Sequence, residues 1–206
     1  MLSNGPYATS KCARRVEGFR LVRFAKREVL ECFDRQDRSY RLALLCTYWI
    51  RDTARYKPNA SEEAKGFRMK VCGTWLSFAD LADMLEQQSS REALSSDFLL
   101  NQLHALIRAP FEILRDYCED YDKTNSTRSL LEKMKETSWY EVARIVRNTI
   151  SHNLRVQYKK TEPTRWNGIT ISQEMDGKTI TSESLWHKSG YELFLEMRRF
   201  AEALPE

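Results

Sequence analysis

The chain has 206 residues, of which 42% are hydrophobic and 11% aromatic, with only seven glycines and five prolines, a composition that suits one folded domain and argues against long disordered tails. Thirty-three Lys and Arg against 29 Asp and Glu leave a net charge of +4, too mild to require or exclude an anionic partner.

Five scattered cysteines (Cys12, Cys32, Cys46, Cys72, Cys118) make no CxxC pair, and the three histidines lie far apart in sequence. Reduced thiols in a cytoplasmic protein are expected, with no disulfide framework and no metal site. The N-terminus lacks an apolar secretory core and no run is long enough to span a membrane, so a soluble protein without membrane contact is expected.

In chain order, Val16, Phe19, Val22, Ala25, Val29 and Phe33 recur at helical spacing and predict an amphipathic helix over residues 11–33. Its polar side is basic, because Lys11, Arg14, Arg15, Arg20, Arg23, Lys26 and Arg27 oppose only Glu17. "SYRLALLCTYWIRDTARY" is apolar on nearly every side from Leu42 to Ile50, which predicts a core helix enclosed by neighbours. "KPNASEEAKG" reads as a loop. Ser77 is placed to cap a helix through "FADLADMLEQ", and residues 96–121 form one long helix or two broken near Pro110. His104, among Leu100, Leu103 and Ile107, reads as a satisfied packing residue, and the five tryptophans read as core.

"STRSLLEKMKE" is a short helix, and Ser138 with Glu141 form a capping box that starts the helix "SWYEVARIVRNTISH". Ile169, Ile171 and Ile180 alternate around Asp176-Gly177, a hairpin signal. Ser189 and Glu192 cap a closing amphipathic helix. The fold expected is mainly α: a single domain over 1–206, with a helical core over 11–153 and a β-hairpin and C-terminal helix over 154–206.

The chemistry concentrates at "RIVRNTISHN", residues 144–153. With Arg147 set at zero on a helical wheel, Ser151 falls near 40°, Arg144 near 60°, Asn148 near 100° and His152 near 140°. The polar wall therefore holds Arg144, Arg147, Asn148 and Ser151, with His152 at its border. On a straight helix Arg147 and His152 do not share a face, so either the helix loosens near its end or two copies contribute to one cleft. The pair suits RNA cleavage by the 2′-hydroxyl: a neutral imidazole takes the proton while a permanent guanidinium charge stabilises the phosphoryl oxygens.

Arg147, Asn148 and His152, late in an all-helical chain, resemble the signature of the HEPN superfamily: Arg, a polar residue often Asn, and a His after four to six residues. The resemblance implies a helical-bundle fold and a metal-independent, cofactor-free endoribonuclease of toxin–antitoxin or phage-defence type. It implies catalytic roles for Arg147, Asn148 and His152, a homodimer joined through the motif helix, RNA as substrate, and an antitoxin or other regulatory protein as partner. Members paired with a nucleotidyltransferase carry a Tyr two places after the His; here that place holds Leu154. Arg144, Ser151, Arg155, Tyr158, Lys159 and Lys160 are expected to line the RNA path, with Tyr158 able to stack on a base. The alternatives are a non-catalytic HEPN-like module that binds RNA, nucleotide or protein, and a helical scaffold in which Arg147 and His152 pair with carboxylates of neighbouring helices.

Overall fold

The computed structural model describes residues 24–52, 65–125, 129–151, 155–179 and 187–206. Among them lie helices α1 (Lys26–Arg51), α2 (Ala79–Glu86), α3 (Gln88–Thr124), α4 (Ser129–Glu136), α5 (Tyr140–Ser151) and α6 (His187–Glu202). Two antiparallel hairpins join them, β1 (Arg68–Val71) with β2 (Thr74–Ser77), and β3 (Thr164–Trp166) with β4 (Ile169–Ile171). The fold is mainly α, with a hairpin near the C-terminus and a closing helix. No described helix is long and apolar enough to cross a membrane.

Helix α3 is the axis. Its 37 residues run through Pro110, whose ring removes one backbone donor and ordinarily costs about 3 kcal/mol inside a helix. Packing outweighs that cost, because Leu103, Leu106, Ile107, Phe111, Leu114 and Cys118 are all sealed. Helix α1 lies antiparallel to it: Arg51 Nε donates to Ser95 Oγ at 2.7 Å at one end. At the other end Phe24 and Lys26 share a cleft with Tyr117 and Tyr121. Helix α6 crosses close by at Gly190, where an added Cβ would stand 2.7 Å from Leu103 Cδ1. Phe194 of α6 then reaches Phe33 of α1, ring centroids 5.3 Å apart. One core thus spans α1, α3, α5 and α6.

Charged groups finish the helix ends. Asp122 accepts from the backbone N–H groups of Leu130 (3.1 Å) and Leu131 (2.9 Å), placing a carboxylate on orphan donors at the start of α4. Buried Arg91 donates to the carbonyls of Leu85 (2.9 Å) and Glu86 (3.0 Å) at the end of α2.

Several expectations change. The helices expected over 11–33 and from Ser39 onward are, where described, the single helix α1; residues 11–23 and their basic face lie outside the described residues. The Leu42–Ile50 stretch is not enclosed: only Ala43 and Thr47 there are buried, and Leu42, Leu45 and Trp49 face outward. Trp49 and Trp75 are exposed, whereas Trp139 is core as expected. Residues 68–77, not expected as strand, form β1–β2 around Cys72 and Gly73, both at positive φ (49° and 84°). Ser77 closes β2 and Phe78 takes the cap position of α2, though the Ser77 hydroxyl still accepts from Ala79 N–H at 3.3 Å. His104 is buried but not satisfied, both ring nitrogens being without a partner.

The C-terminal hairpin turns at Asn167-Gly168 (φ 41° and 79°), the paired left-handed geometry of a type I′ turn, and not at Asp176-Gly177. The latter pair instead ends a 3-10 turn (Gln173–Met175) and brings the chain back to residues 155–158. Gly177 N–H donates to Val156 O at 2.8 Å, and Asp176 Oδ1 accepts from Tyr158 N–H at 2.8 Å. Ile169 and Ile171 alternate inward as expected; Ile180 lies outside the described residues. Neither capping box forms in the expected way. Glu141 turns to Arg144 and Lys160, and Ser189 sits inside α6, with Glu192 accepting from Asn167 Nδ2 at 2.6 Å.

Candidate functional site

Helix α5 carries the motif on a strongly two-sided surface. Val142, Ala143, Ile145 and Val146 are buried, and Thr149 hides its hydroxyl by donating to Ile145 O at 2.8 Å. Their spacing leaves Arg144, Arg147 and Asn148 half-buried at the border of the core.

Arg147 is held from two directions. Its Nε donates to Glu112 Oε1 of α3 at 3.0 Å, and its Nη1 donates to Asn148 Oδ1 at 3.0 Å. Arg108, one turn before Glu112, donates Nε to the same carboxylate oxygen at 3.2 Å. The Arg147 and Glu112 side chains are 26% and 31% exposed, so water only partly screens the pair. The effect is to fix the plane of the guanidinium, which costs rotamer entropy once, during folding.

A second network lies one turn earlier. Glu141 accepts from Arg144 Nε (2.8 Å) and Nη2 (2.9 Å) as a fork, and also from Lys160 Nζ. The Arg144 hydrogen bonds are the main reason the Glu141 carboxyl is held down at about 2; partial burial opposes them and Lys160 adds to them.

Of the expected site residues, Arg147 and Asn148 are thus in contact, and Arg144 stands on the same helix in its own ion pair. Ser151 is the last residue of α5, and His152 lies outside the described residues, as do Asn153 and Leu154. Arg155 is exposed and donates Nη1 to Gly177 O at 2.9 Å; Lys159 is exposed; Lys160 folds back onto Glu141. Tyr158 must be withdrawn as a stacking residue. It is 3% exposed, and its hydroxyl is bound to Glu162 O and Thr164 Oγ1, so no base can reach its face.

Glu112 and Arg108 were not visible as site residues in the sequence. Their four-residue spacing marks an ordinary helical ion pair, and nothing local indicates that Arg147, 35 residues on, shares the carboxylate. Among the described residues no three His, Cys, Asp or Glu side chains are grouped to hold a metal ion. In comparisons with known proteins, no family model, no curated protein and no solved structure matches the chain.

Proposed function

We propose that the chain is a HEPN-type, metal-independent endoribonuclease acting through Arg147 and His152 in a cleft composed by two copies meeting at the motif helix, in a toxin–antitoxin or phage-defence setting. The observation that carries the reading is the Glu112–Arg147–Asn148 chain of hydrogen bonds, which presets a guanidinium fork on the helix that leads directly into His152.

In this reading neutral His152 takes the proton of a ribose 2′-hydroxyl. The 2′-oxygen then attacks the adjacent phosphorus, the bond to the 5′-oxygen breaks, and that oxygen takes a proton from water. A 2′,3′-cyclic phosphate and a 5′-hydroxyl result. Arg147 supplies permanent positive charge to the phosphoryl oxygens as they gain negative charge. Asn148 keeps the fork in plane, and Arg155, Lys159 and Lys160 supply charge along the strand.

The test is RNA cleavage in excess EDTA with end-group analysis. Cyclic-phosphate ends are expected from the native chain, with losses of about 100-fold or more in Arg147→Ala and in His152→Ala. Undiminished cutting by both variants rejects the assignment. One observation favours a second reading: a guanidinium already paired with Glu112 is what a non-catalytic scaffold or binding module also requires. In that case neither variant changes any cleavage rate, and Arg147→Ala costs about 1–3 kcal/mol of stability by leaving Glu112 with a lost partner.

A further inference from the structure

Glu112 holds more positive charge than it can neutralise. Arg147 Nε of α5 and Arg108 Nε of α3 both donate to its Oε1, at 3.0 and 3.2 Å, so one carboxylate serves two guanidiniums and the group stays net positive. Bonded to one oxygen, the two Nε atoms stand at most about 6 Å apart. Like charges at that range repel unless an anion lies between them, and Glu112 is that anion.

The neighbouring cations are differently placed. Arg115 donates Nη2 to Asp116 Oδ1 at 3.0 Å and keeps Nε 3.4 Å from Glu119 Oε1, so two carboxylates answer one guanidinium. Arg144 and Lys160 are both drawn onto Glu141. Arg108 has only the carboxylate that it shares. Its side chain is 45% exposed, and among the described residues its two terminal nitrogens make no hydrogen bond. A fork with its Nε fixed and its outer N–H groups open is set to receive an anion.

We infer that Arg108 is a second phosphate-binding residue, taking the RNA phosphate next to the one that Arg147 engages; the identity of the strand rests on the nuclease reading. The Glu112 oxygen already displays the chemistry that both forks accept. It also separates the two phosphates, because a single phosphate bridging both forks would lie against the carboxylate and repel it. With one phosphate on each fork the charges alternate in sign: phosphate, Arg147, Glu112, Arg108, phosphate. The separation of the forks suits consecutive phosphates of an extended single strand. The strand then crosses from α5 onto α3, and the shortest RNA that uses both forks has two phosphodiester links.

The test compares the native full chain with Arg108→Gln and Arg108→Lys on two substrates in excess EDTA. One is a labelled single-stranded RNA of about 12 nucleotides, the other a dinucleoside monophosphate, which has the scissile link alone. Arg108 pairs within its own helix at the surface, so unchanged circular dichroism is expected. On the longer RNA, Arg108→Gln should raise KM about 5- to 10-fold with kcat within about twofold. It should also lower the slope of log affinity against log salt by about 0.7, the share of one single-strand phosphate, and Arg108→Lys should recover most of both. The dinucleoside monophosphate should be cut equally by all three chains. If Arg108→Gln leaves KM and slope on the longer RNA unchanged while the native chain cuts, the inference is overturned and the nuclease reading stands. Equal losses on both substrates overturn it as well, since Arg108 then serves only to place Arg147. A native chain that binds the longer RNA without cutting it rejects the nuclease reading, and the salt slope decides separately: its loss in Arg108→Gln upholds the phosphate contact, its persistence overturns it. A native chain that binds no RNA overturns both.

Discussion

The two ends of α3 meet opposite surroundings. From Leu99 to Cys118 the helix is packed by α1, α5 and α6, and its inward side chains are sealed; from Gln88 to Phe98 it meets α2 and the end of α1, where Arg91 and Ser95 are the buried side chains. The motif end closes with apolar packing and fixes Arg147 to within a hydrogen bond. The hairpin end closes through Arg51 to Ser95 and Ser96, Lys65 to Asp83 and Glu86, and the Phe67 ring against Phe78, and leaves Trp49, Met69 and Trp75 exposed. Close packing is thus concentrated around Arg147, and exposed apolar side chains are concentrated at the hairpin end.

The sharpest way to break this contrast is to remove one aromatic ring from each end. Phe111 is 1% exposed and its ring lies 5.5 Å from that of Tyr140 at the start of the motif helix. Phe111→Ala should cost about 3–5 kcal/mol in urea unfolding, from lost transfer energy plus a cavity. Trp75 is 63% exposed, and Trp75→Ala should change stability in the same measurement by less than about 0.5 kcal/mol. Equal losses at the two positions would mean that the hairpin end is as firmly built as the motif end.

A buried histidine sharpens the contrast next. His104 lies on α3 at 3% exposure with neither ring nitrogen bonded, and burial, reinforced by the charge of nearby His187, lowers its pKa to about 4. Tyr40 of α1 donates toward or accepts from His187 Nδ1 at 3.0 Å on the same side. Because the folded chain holds this imidazole neutral, its contribution is complete above the unfolded value near 6.5 and is lost as pH falls toward 4. The loss should approach about 3 kcal/mol. Urea midpoints at pH 7 and pH 4.5 for the native chain and His104→Leu measure it: the variant should lose this part of the slope. Identical pH profiles would show that the ring finds a proton acceptor or water on folding.

How far the sequence reports this structure depends on whether the deciding contact is local. Helices α4, α5 and α6 follow from apolar spacing within each segment, and the closing hairpin follows from the alternation of Ile169 and Ile171. The turn position does not, because Asn167-Gly168 and Asp176-Gly177 are both able to adopt positive φ and only the pairing of residues 155–158 with 176–179 decides between them. The exposure of Leu42, Leu45 and Trp49 is not legible in the sequence, because apolarity on all sides of a helix reports a demand for cover and not the presence of a neighbour. Arg147 and Asn148 stood out by their type and spacing on one helix. Glu112 did not, since a contact between α3 and α5 leaves no mark in either segment alone.

The smallest expected effect concerns the charge beside the motif. Glu141, held at about 2 chiefly by the Arg144 fork, contributes stability that is present above its unfolded value near 4.5 and is lost as pH falls toward 2. Taken at face value the shift would rival that of His104. The Glu141 side chain is 27% exposed, however, and its partners Arg144 and Lys160 are 39% and 56% exposed, so solvent screening reduces the contribution to about 1 kcal/mol. Glu141→Gln should show that loss at low ionic strength and much less in 1 M salt, whereas the His104 slope should be insensitive to salt. The same substitution separates structural charge from RNA-binding charge. With Glu141 neutral, Arg144 and Lys160 turn to solvent, so under the nuclease reading RNA affinity should rise and its dependence on log salt should steepen by about one to two phosphate contacts. An unchanged salt slope would mean that these two cations serve the helix and do not touch the strand.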